Sequence, residues 1–216
     1  MGDKIKAKEL AKSLNIPVVP GYEGEISTEN EAIKIVEEIG YPVIIKASAG
    51  GGGRGMRVVN SSDELWQSIQ SAQNEAELAF GDGKIFIEKY LKKPRHIEVQ
   101  IFGNGKGEAV HLFTRDCSLQ RKYQKIVEEA PALNIDNQKL EEIQNLSVEA
   151  CKKLNYEGAG TIEFLYENND FYFIEMNTRI QVEHTVTEMI TGVDLVQDQL
   201  LLSLENKYDF KQKDLK

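Results

Sequence analysis

The stretch Phe171-Tyr-Phe-Ile-Glu175-Met-Asn177-Thr-Arg179-Ile-Gln181-Val-Glu183 decides the reading of this chain, because every second residue from Glu175 to Glu183 is polar and chemically capable. In an extended backbone successive side chains point to opposite faces. Glu175, Asn177, Arg179, Gln181 and Glu183 are therefore predicted to form one row, with Met176, Thr178, Ile180 and Val182 facing the other way. A half-buried strand with an ordinary solvated face would alternate in the same manner. Such a face is usually filled with Lys, Glu, Thr and Ser of interchangeable identity, whereas two carboxylates, two amides and a guanidinium suit a metal and an anion.

A second carboxylate lies just upstream. In Thr161-Ile-Glu163-Phe-Leu-Tyr-Glu167 the even positions Ile162, Phe164 and Tyr166 are large and apolar, as are Tyr172, Ile174 and Met176 after Asn168-Asn169-Asp170. This reads as a hairpin with one buried face. If both strands bury their even positions, the loop holds an odd number of residues, Asn168 to Asp170, and Glu163 sits opposite Glu175. Cross-strand neighbours have Cβ atoms only ~5 Å apart, so two like charges placed there repel unless a cation bridges them. That points to Mg²⁺ or Mn²⁺, with Asn177 adding an amide oxygen. A two-residue turn would put the two glutamates on opposite faces.

Composition bounds the rest. The 216 residues are enough for one large or two small domains with a real core. A net charge of −9 argues against a nucleic-acid-binding surface. No signal peptide or spanning helix is read, so the expectation is a cytoplasmic chain with no membrane partner. The two cysteines, Cys117 and Cys151, read as core thiols rather than a disulfide or a metal pair.

Along the chain, helical spacing is predicted over 4–14, 29–39, 63–80, 138–154 and 193–205, and strands over 41–47, 56–60, 84–90, 95–102 and 108–114. Thr28 is read as the cap of the second helix, with Glu31 completing a box-like start and Gly40 stopping it. The segment from Arg115 to Leu133 is read as irregular. Residues 1–20 are taken as a linker helix and lead-in, 21–91 as a small lid unit, and 92–216 as part of a larger antiparallel-sheet unit carrying the chemistry. The fold class is thus α+β.

The loop Ala47-Ser-Ala-Gly50-Gly-Gly-Gly53-Arg-Gly55 fits the G-x-G-x-x-G spacing literally. A dinucleotide fingerprint requires a helix directly after the loop, whereas Met56 to Val59 reads as a strand. Strand, glycine loop, strand instead suggests a flap whose backbone N–H groups fold over polyphosphate. A flexible hairpin tip is the plainer reading, but five glycines in six residues exceed what a turn needs. Lys46 ends the strand feeding the flap and can reach a phosphate as a point charge. The backbone from Glu88 to Leu91, at the junction of the two units, is a candidate to hydrogen-bond a purine edge.

These residues carry a family resemblance. YPVIIKASAGGGGRGMRVV, FIEKYL, PRHIEVQIFG, RDCSLQRKYQKIVEEAPA, GAGTIEFLY and FYFIEMNTRIQVEHTVTEMITGVDLV resemble the ATP-grasp core of biotin carboxylases, as found in acetyl-CoA, pyruvate, propionyl-CoA and methylcrotonyl-CoA carboxylases. The resemblance runs over essentially the whole chain. It implies that Lys4 and Lys46 contact ATP phosphates, with Gly50, Gly51, Gly52, Gly53, Gly55 and Met56 closing over the nucleotide. Glu88, Lys89 and Leu91 would hold the adenine, Leu165 would pack against it, and His96 and Gln120 would lie near the ribose and base. Glu163, Glu175 and Asn177 would hold one or two Mg²⁺ or Mn²⁺ ions. Arg179, Gln181, Val182 and Lys125 would bind bicarbonate, and Glu183 would be the general base, making Glu183, Arg179 and Lys125 the catalytic set.

The implied activity is ATP- and bicarbonate-dependent carboxylation of biotin through carboxyphosphate. Its partners would be a biotinylated carrier and a carboxyltransferase, and the parent enzyme would be a homodimer. Two departures temper this. Tyr123 stands where the family usually has a histidine. The family's N-terminal α/β domain does not precede Met1, and the chain stops at Lys216 before an arginine expected to stabilise the biotin enolate. The expectation is a fragment that binds nucleotide weakly and turns over little. The alternatives are a non-catalytic nucleotide-binding or interaction module, and another ATP-grasp ligase such as a carbamoyl-phosphate synthetase half.

Overall fold

The computed structural model describes residues 4–22, 24, 26–48, 56–121, 124–205, 207 and 210–215, the side chains of residues 4–7 excepted. The chain divides into two compact units, residues 19–92 and residues 1–18 with 93–216.

In the smaller unit the helices Glu29–Ile39 (α2) and Ser62–Phe80 (α3) cover a sheet of Gly21–Tyr22 (β1), Val43–Ala47 (β2), Arg57–Val59 (β3) and Ile85–Lys89 (β4), in the antiparallel order β1-β4-β2-β3. Strand β2 alternates, burying Val43, Ile45 and Ala47. Val43, Ile45, Val59, Ile85 and Ile87 meet Ala32, Val36, Leu65 and Ile69 from the helices to form this unit's core. Thr28 caps α2 by accepting from the Glu31 N–H at 3.3 Å, and Gly40, at φ 79°, ends it as only glycine readily can. The Glu31 carboxylate accepts from the Ser27 N–H at 3.0 Å, one residue earlier than a capping box requires.

The larger unit is built on the strands Arg95–Asn104 (β5), Ala109–Asp116 (β6), Glu157–Glu167 (β9) and Asp170–Asn177 (β10), in the order β10-β9-β5-β6. A short ribbon of Gln120–Arg121 (β7) and Gln124–Lys125 (β8) lies in the segment expected to be irregular, whose first residues, Arg115 and Asp116, belong to β6. On one face Ile97, Val99, Ile101, Ile162, Phe164, Phe171 and Phe173 pack with Ile143 and Cys151 of Asn137–Lys153 (α4) and Ala11 of Lys4–Ser13 (α1). The lead-in is thus no free linker, since Ala11, Leu14 and Ile16 sit in this core. On the other face Phe102 and Ala159 pack under Leu195 and Leu202 of Leu195–Glu205 (α6). Beside them on that face stand Glu98, Gln100, Thr161 and Glu163, all buried. Cys117 and Cys151 are buried free thiols.

The hairpin corrects the sequence reading in an instructive way. Its loop has two residues, Asn168 and Asn169, at φ 54° and 67°, and Asp170 already pairs with Glu167. Positive φ at both central residues is what a tight hairpin turn of matching twist needs. Phe171 and Phe173 are therefore buried, not Tyr172 and Ile174. After Phe173 faces Phe164, however, a β-bulge inserts one extra residue and Glu175 faces Glu163, with Met176 returning to the core side. The expected pairing exists because two departures from the expected geometry cancel.

A second correction concerns the row from Glu175 to Glu183. Only Glu175 and Asn177 lie on a strand. Residues 178–183 form a loop that turns into a helix the sequence reading lacked, His184–Thr191 (α5), ended by Gly192 at φ 70°. The closing helix consequently starts at Leu195 rather than Val193.

Candidate active site

Strand pairing alone concentrates charge on one face of the larger sheet. Glu163 is the register partner of both Glu98 and Glu175, and Glu98 is also the partner of Arg115. Like charges on adjoining strands repel, so cations are required. Lys125, delivered by β8, supplies one: its Nζ lies 3.1 Å from Glu163 Oε1 and 2.6 Å from Glu183 Oε1, and it also ion-pairs with Glu98. Arg115, fully buried, supplies the other through Glu98 Oε2 at 2.6 Å.

Glu163 is the hub. Its Oε1 also accepts from Asn177 Nδ2 at 2.8 Å and Gln181 Nε2 at 3.0 Å, while its Oε2 lies 3.0 Å from His96 Nε2. His96 Nδ1 faces Gln120 Nε2 at 2.8 Å. An amide nitrogen only donates, so the His96 proton sits on Nε2 and is given to Glu163. Burial alone would raise the Glu163 pKa, but the His96 and Lys125 contacts outweigh it and bring it to about 2. Burial likewise works against ionised Glu183, and again its hydrogen bond to Lys125 outweighs it, so this carboxyl lies below its ordinary value. At neutral pH both are anions, and Glu183 is an available proton acceptor.

Glu175, half-buried, has no hydrogen-bond or ion-pair partner among the described residues. A carboxylate left open directly across from another, with Asn177 Oδ1 alongside on the same strand, fits an oxygen-seeking divalent ion. His96, Glu98 and Glu163 also present ligand atoms within 4.8 Å of one another. That set suits magnesium less well, because it includes a nitrogen and one of its carboxylates, Glu98, has its two oxygens divided between Arg115 and Lys125.

The remaining sequence-named residues are less concentrated. Arg179 is exposed, with Nη2 3.3 Å from Asn177 Oδ1, and Val182 is 90% exposed. Leu165 is half-buried on β9, the register partner of His96. In the smaller unit Lys46 Nζ pairs with the buried Glu88 Oε2 at 2.6 Å. Lys89 Nζ donates to the Gly40 and Tyr41 carbonyls at 2.9 Å each, and its N–H donates to Pro20 O, so its polar groups hold the fold together. Met56 precedes β3 and Leu91 follows β4, both half-buried. Gly50, Gly51, Gly52, Gly53, Gly55, Tyr123 and the side chain of Lys4 lie outside the described part.

The sequence reading missed Glu98, Arg115, Gln100, Thr161 and Thr187. Glu98 and Gln100 alternate with Ile97, Val99 and Ile101, which in isolation reads as a solvated strand face. Helix α5 and the loop before it, which the sequence reading lacked, bring Thr187 and Gln181 over this part of the face.

A model of the carbamoyl-phosphate synthase L chain ATP-binding domain matches residues 3–210. The chain belongs to that family. Within it, the chain is 52% identical over 216 residues to a biotin carboxylase of Pseudomonas aeruginosa, covering all of this chain and 48% of that one. Among solved structures, the biotin carboxylase domain of a thermophilic 2-oxoglutarate carboxylase bound to bicarbonate aligns with TM-score 0.92 at 45% identity, covering 100% of this chain and 47% of that chain. The Hydrogenobacter thermophilus 2-oxoglutarate carboxylase domain in complex with MgADP, ADP and bicarbonate aligns at 0.85 and 48% identity, over 100% and 48% of the two chains. The α+β architecture is therefore the ATP-grasp fold of this family. The chain spans about half the length of the curated relatives it matches. Among the described residues no helix is long and apolar enough to cross a membrane.

Proposed function

We propose that this chain carries the ATP and bicarbonate site of a biotin-dependent carboxylase, an ATP-grasp ligase that carboxylates biotin through carboxyphosphate. One observation carries the reading: Lys125 Nζ lies 2.6 Å from Glu183 and 3.1 Å from Glu163, so a base and a second carboxylate share one cation. The likeness to domains described as bound to bicarbonate and MgADP supports it.

In this reading bicarbonate binds against Lys125, Arg179, Gln181, Val182 and Glu183. Glu183, held ionised by Lys125, takes the bicarbonate proton, and the resulting oxyanion attacks the γ-phosphate of ATP. Phosphoryl transfer demands chiefly alignment and charge neutralisation. Lys4, Lys46, Gly50, Gly51, Gly52, Gly53, Gly55 and Met56 hold the phosphates. Glu88, Lys89, Leu91, His96, Gln120 and Leu165 hold the base and ribose. Glu163, Glu175 and Asn177 hold Mg²⁺ or Mn²⁺, which when bound neutralises charge on the phosphates. Carboxyphosphate then yields CO₂ to the ureido nitrogen of biotin, deprotonated by the released phosphate, on a carrier that a carboxyltransferase serves next. The parent is read as a homodimer, and the two free thiols support a cytoplasmic setting.

The test is the linewidth of [¹³C]bicarbonate titrated with the chain and MgADP. Broadening is expected for the wild type and is abolished by Lys125→Met. If MgADP produces no effect in the wild type, the reading fails, and a nucleotide affinity that ignores Mg²⁺ favours an interaction module.

A further inference from the structure

Arg115 has no part in the reading above, yet it is the largest fully buried side chain among the described residues, at 0% exposure. From β6 its Nη1 donates to Gln100 Oε1 at 2.6 Å and Thr187 Oγ1 at 2.9 Å. Its Nη2 donates to Glu98 Oε2 at 2.6 Å, Gln181 Oε1 at 3.0 Å and Thr161 Oγ1 at 3.3 Å. One guanidinium thus ties β5, β9, the 178–183 loop and α5 to β6. Its Nε has no hydrogen-bond partner among the described residues.

Burying a guanidinium costs several kcal/mol even when it is paired, and an apolar side chain of similar volume would stabilise a core at least as well. The arrangement of partners indicates what the charge does instead. Glu98 divides its oxygens between Arg115 and Lys125. Gln181 divides its amide in the same way, Oε1 to Arg115 and Nε2 to Glu163. With Oε1 fixed on a donor-only group, the amide has one orientation, and its nitrogen points at the hub. Thr187 fixes the first turn of α5, whose N-cap is Glu183. The routes through Glu98, Gln181 and Thr187 therefore end on Lys125, Glu163 and Glu183.

We propose that Arg115 is the positioning residue of the Glu183 centre, its fork pinning the 178–183 loop through Gln181 and Thr187 and holding Glu98 under Lys125, so that the bicarbonate face is formed before ligand arrives. The proposal rests on the bicarbonate reading of that face and adds the group that organises it. Arg115 touches no reacting atom and acts only through its neighbours.

Arg115→Lys keeps the charge but loses the planar fork. In the folded variant, bicarbonate affinity in the presence of MgADP is expected to fall by about tenfold or more, the usual effect of removing an orienting partner, while MgADP affinity changes little. The side-chain amide protons of Gln181, assigned by their loss in Gln181→Glu, are expected to exchange faster with solvent by a similar factor. Should Arg115→Lys fail to fold, Thr187→Val removes only the tie to α5 and changes no charge. It is expected to weaken bicarbonate binding about threefold, the worth of one modest hydrogen bond, and to speed the Gln181 amide correspondingly. Unchanged bicarbonate affinity in a folded Arg115→Lys, or an unchanged Gln181 amide in either variant, overturns the proposal. If the wild type binds no bicarbonate, the functional reading fails on its own, and the Gln181 amide still decides whether Arg115 pins the loop.

Discussion

Lys125 Nζ stands 2.6 Å from Glu183 Oε1 while also pairing with Glu163 and Glu98, so one ammonium group serves three carboxylates. Those carboxylates are at most 14% exposed, which leaves water little room to replace the cation. Lys125→Met is therefore expected to destabilise the chain by about 3 kcal/mol at neutral pH, the lower end of the effect of breaking a buried pair. It also moves the Glu183 pKa upward. Urea melts of wild type and variant across pH check this, because the loss should shrink as the carboxylates protonate. A loss independent of pH would instead mean that Lys125 matters through its alkyl packing.

Acid should act chiefly through Glu163. Its pKa falls from an ordinary 4.5 when the chain is unfolded to about 2 when folded. The stabilisation it gives is complete above the unfolded value and disappears as pH falls through the folded one. The window is thus about pH 4.5 to 2, and its size is on the order of 3 kcal/mol. Glu163→Gln is expected to lower stability at pH 7 and to flatten the acid limb across that window. Parallel pH profiles for wild type and variant would contradict it.

The hairpin turn gives a test of local backbone chemistry. Asn168 occupies the left-handed region at φ 54°, where a β-branched side chain meets the following carbonyl. Asn168→Val is expected to cost about 1–2 kcal/mol, and Asn168→Gly to be close to neutral because glycine carries no such penalty. Thermal melts of both variants decide it. Equal losses would place the cost in the Asn168 side chain rather than in the backbone conformation.

That hairpin also shows how much of the molecule the sequence made legible. Helices with clean periodicity and glycine stops, such as α2, were readable to the residue, because Thr28 and Gly40 act locally. The opposition of Glu163 and Glu175 was readable in outcome but not in cause. A bulge leaves no signature in alternation when the flanking residues, Phe173, Ile174 and Met176, are all apolar. The row to Glu183 broke because residue type cannot say where a strand ends once α5 needs its first turn. Glu98 and Arg115 were invisible for a related reason. A polar residue on an alternating strand looks solvated until the element covering it is known, and that element was the one not foreseen.

Gln120 fixes a proton one residue away from the hub. Its Nε2 lies 2.8 Å from His96 Nδ1 and 2.8 Å from the Cys117 carbonyl, which Nε2 can only approach as a donor. This makes His96 Nδ1 an acceptor and leaves the Nε2 proton for Glu163, 3.0 Å away. Gln120→Glu replaces the donor with an acceptor, so Nδ1 must carry a proton, and the Glu163 contact survives only if the ring becomes doubly protonated. The ring of this variant is accordingly expected to carry its proton on Nδ1 and to lose the hydrogen bond to Glu163, so that nucleotide binding weakens. Long-range ¹H–¹⁵N correlation on the imidazole reads the tautomer directly. An Nδ1-protonated ring in the wild type would show that the Gln120 amide is turned the other way and would remove the basis of the prediction.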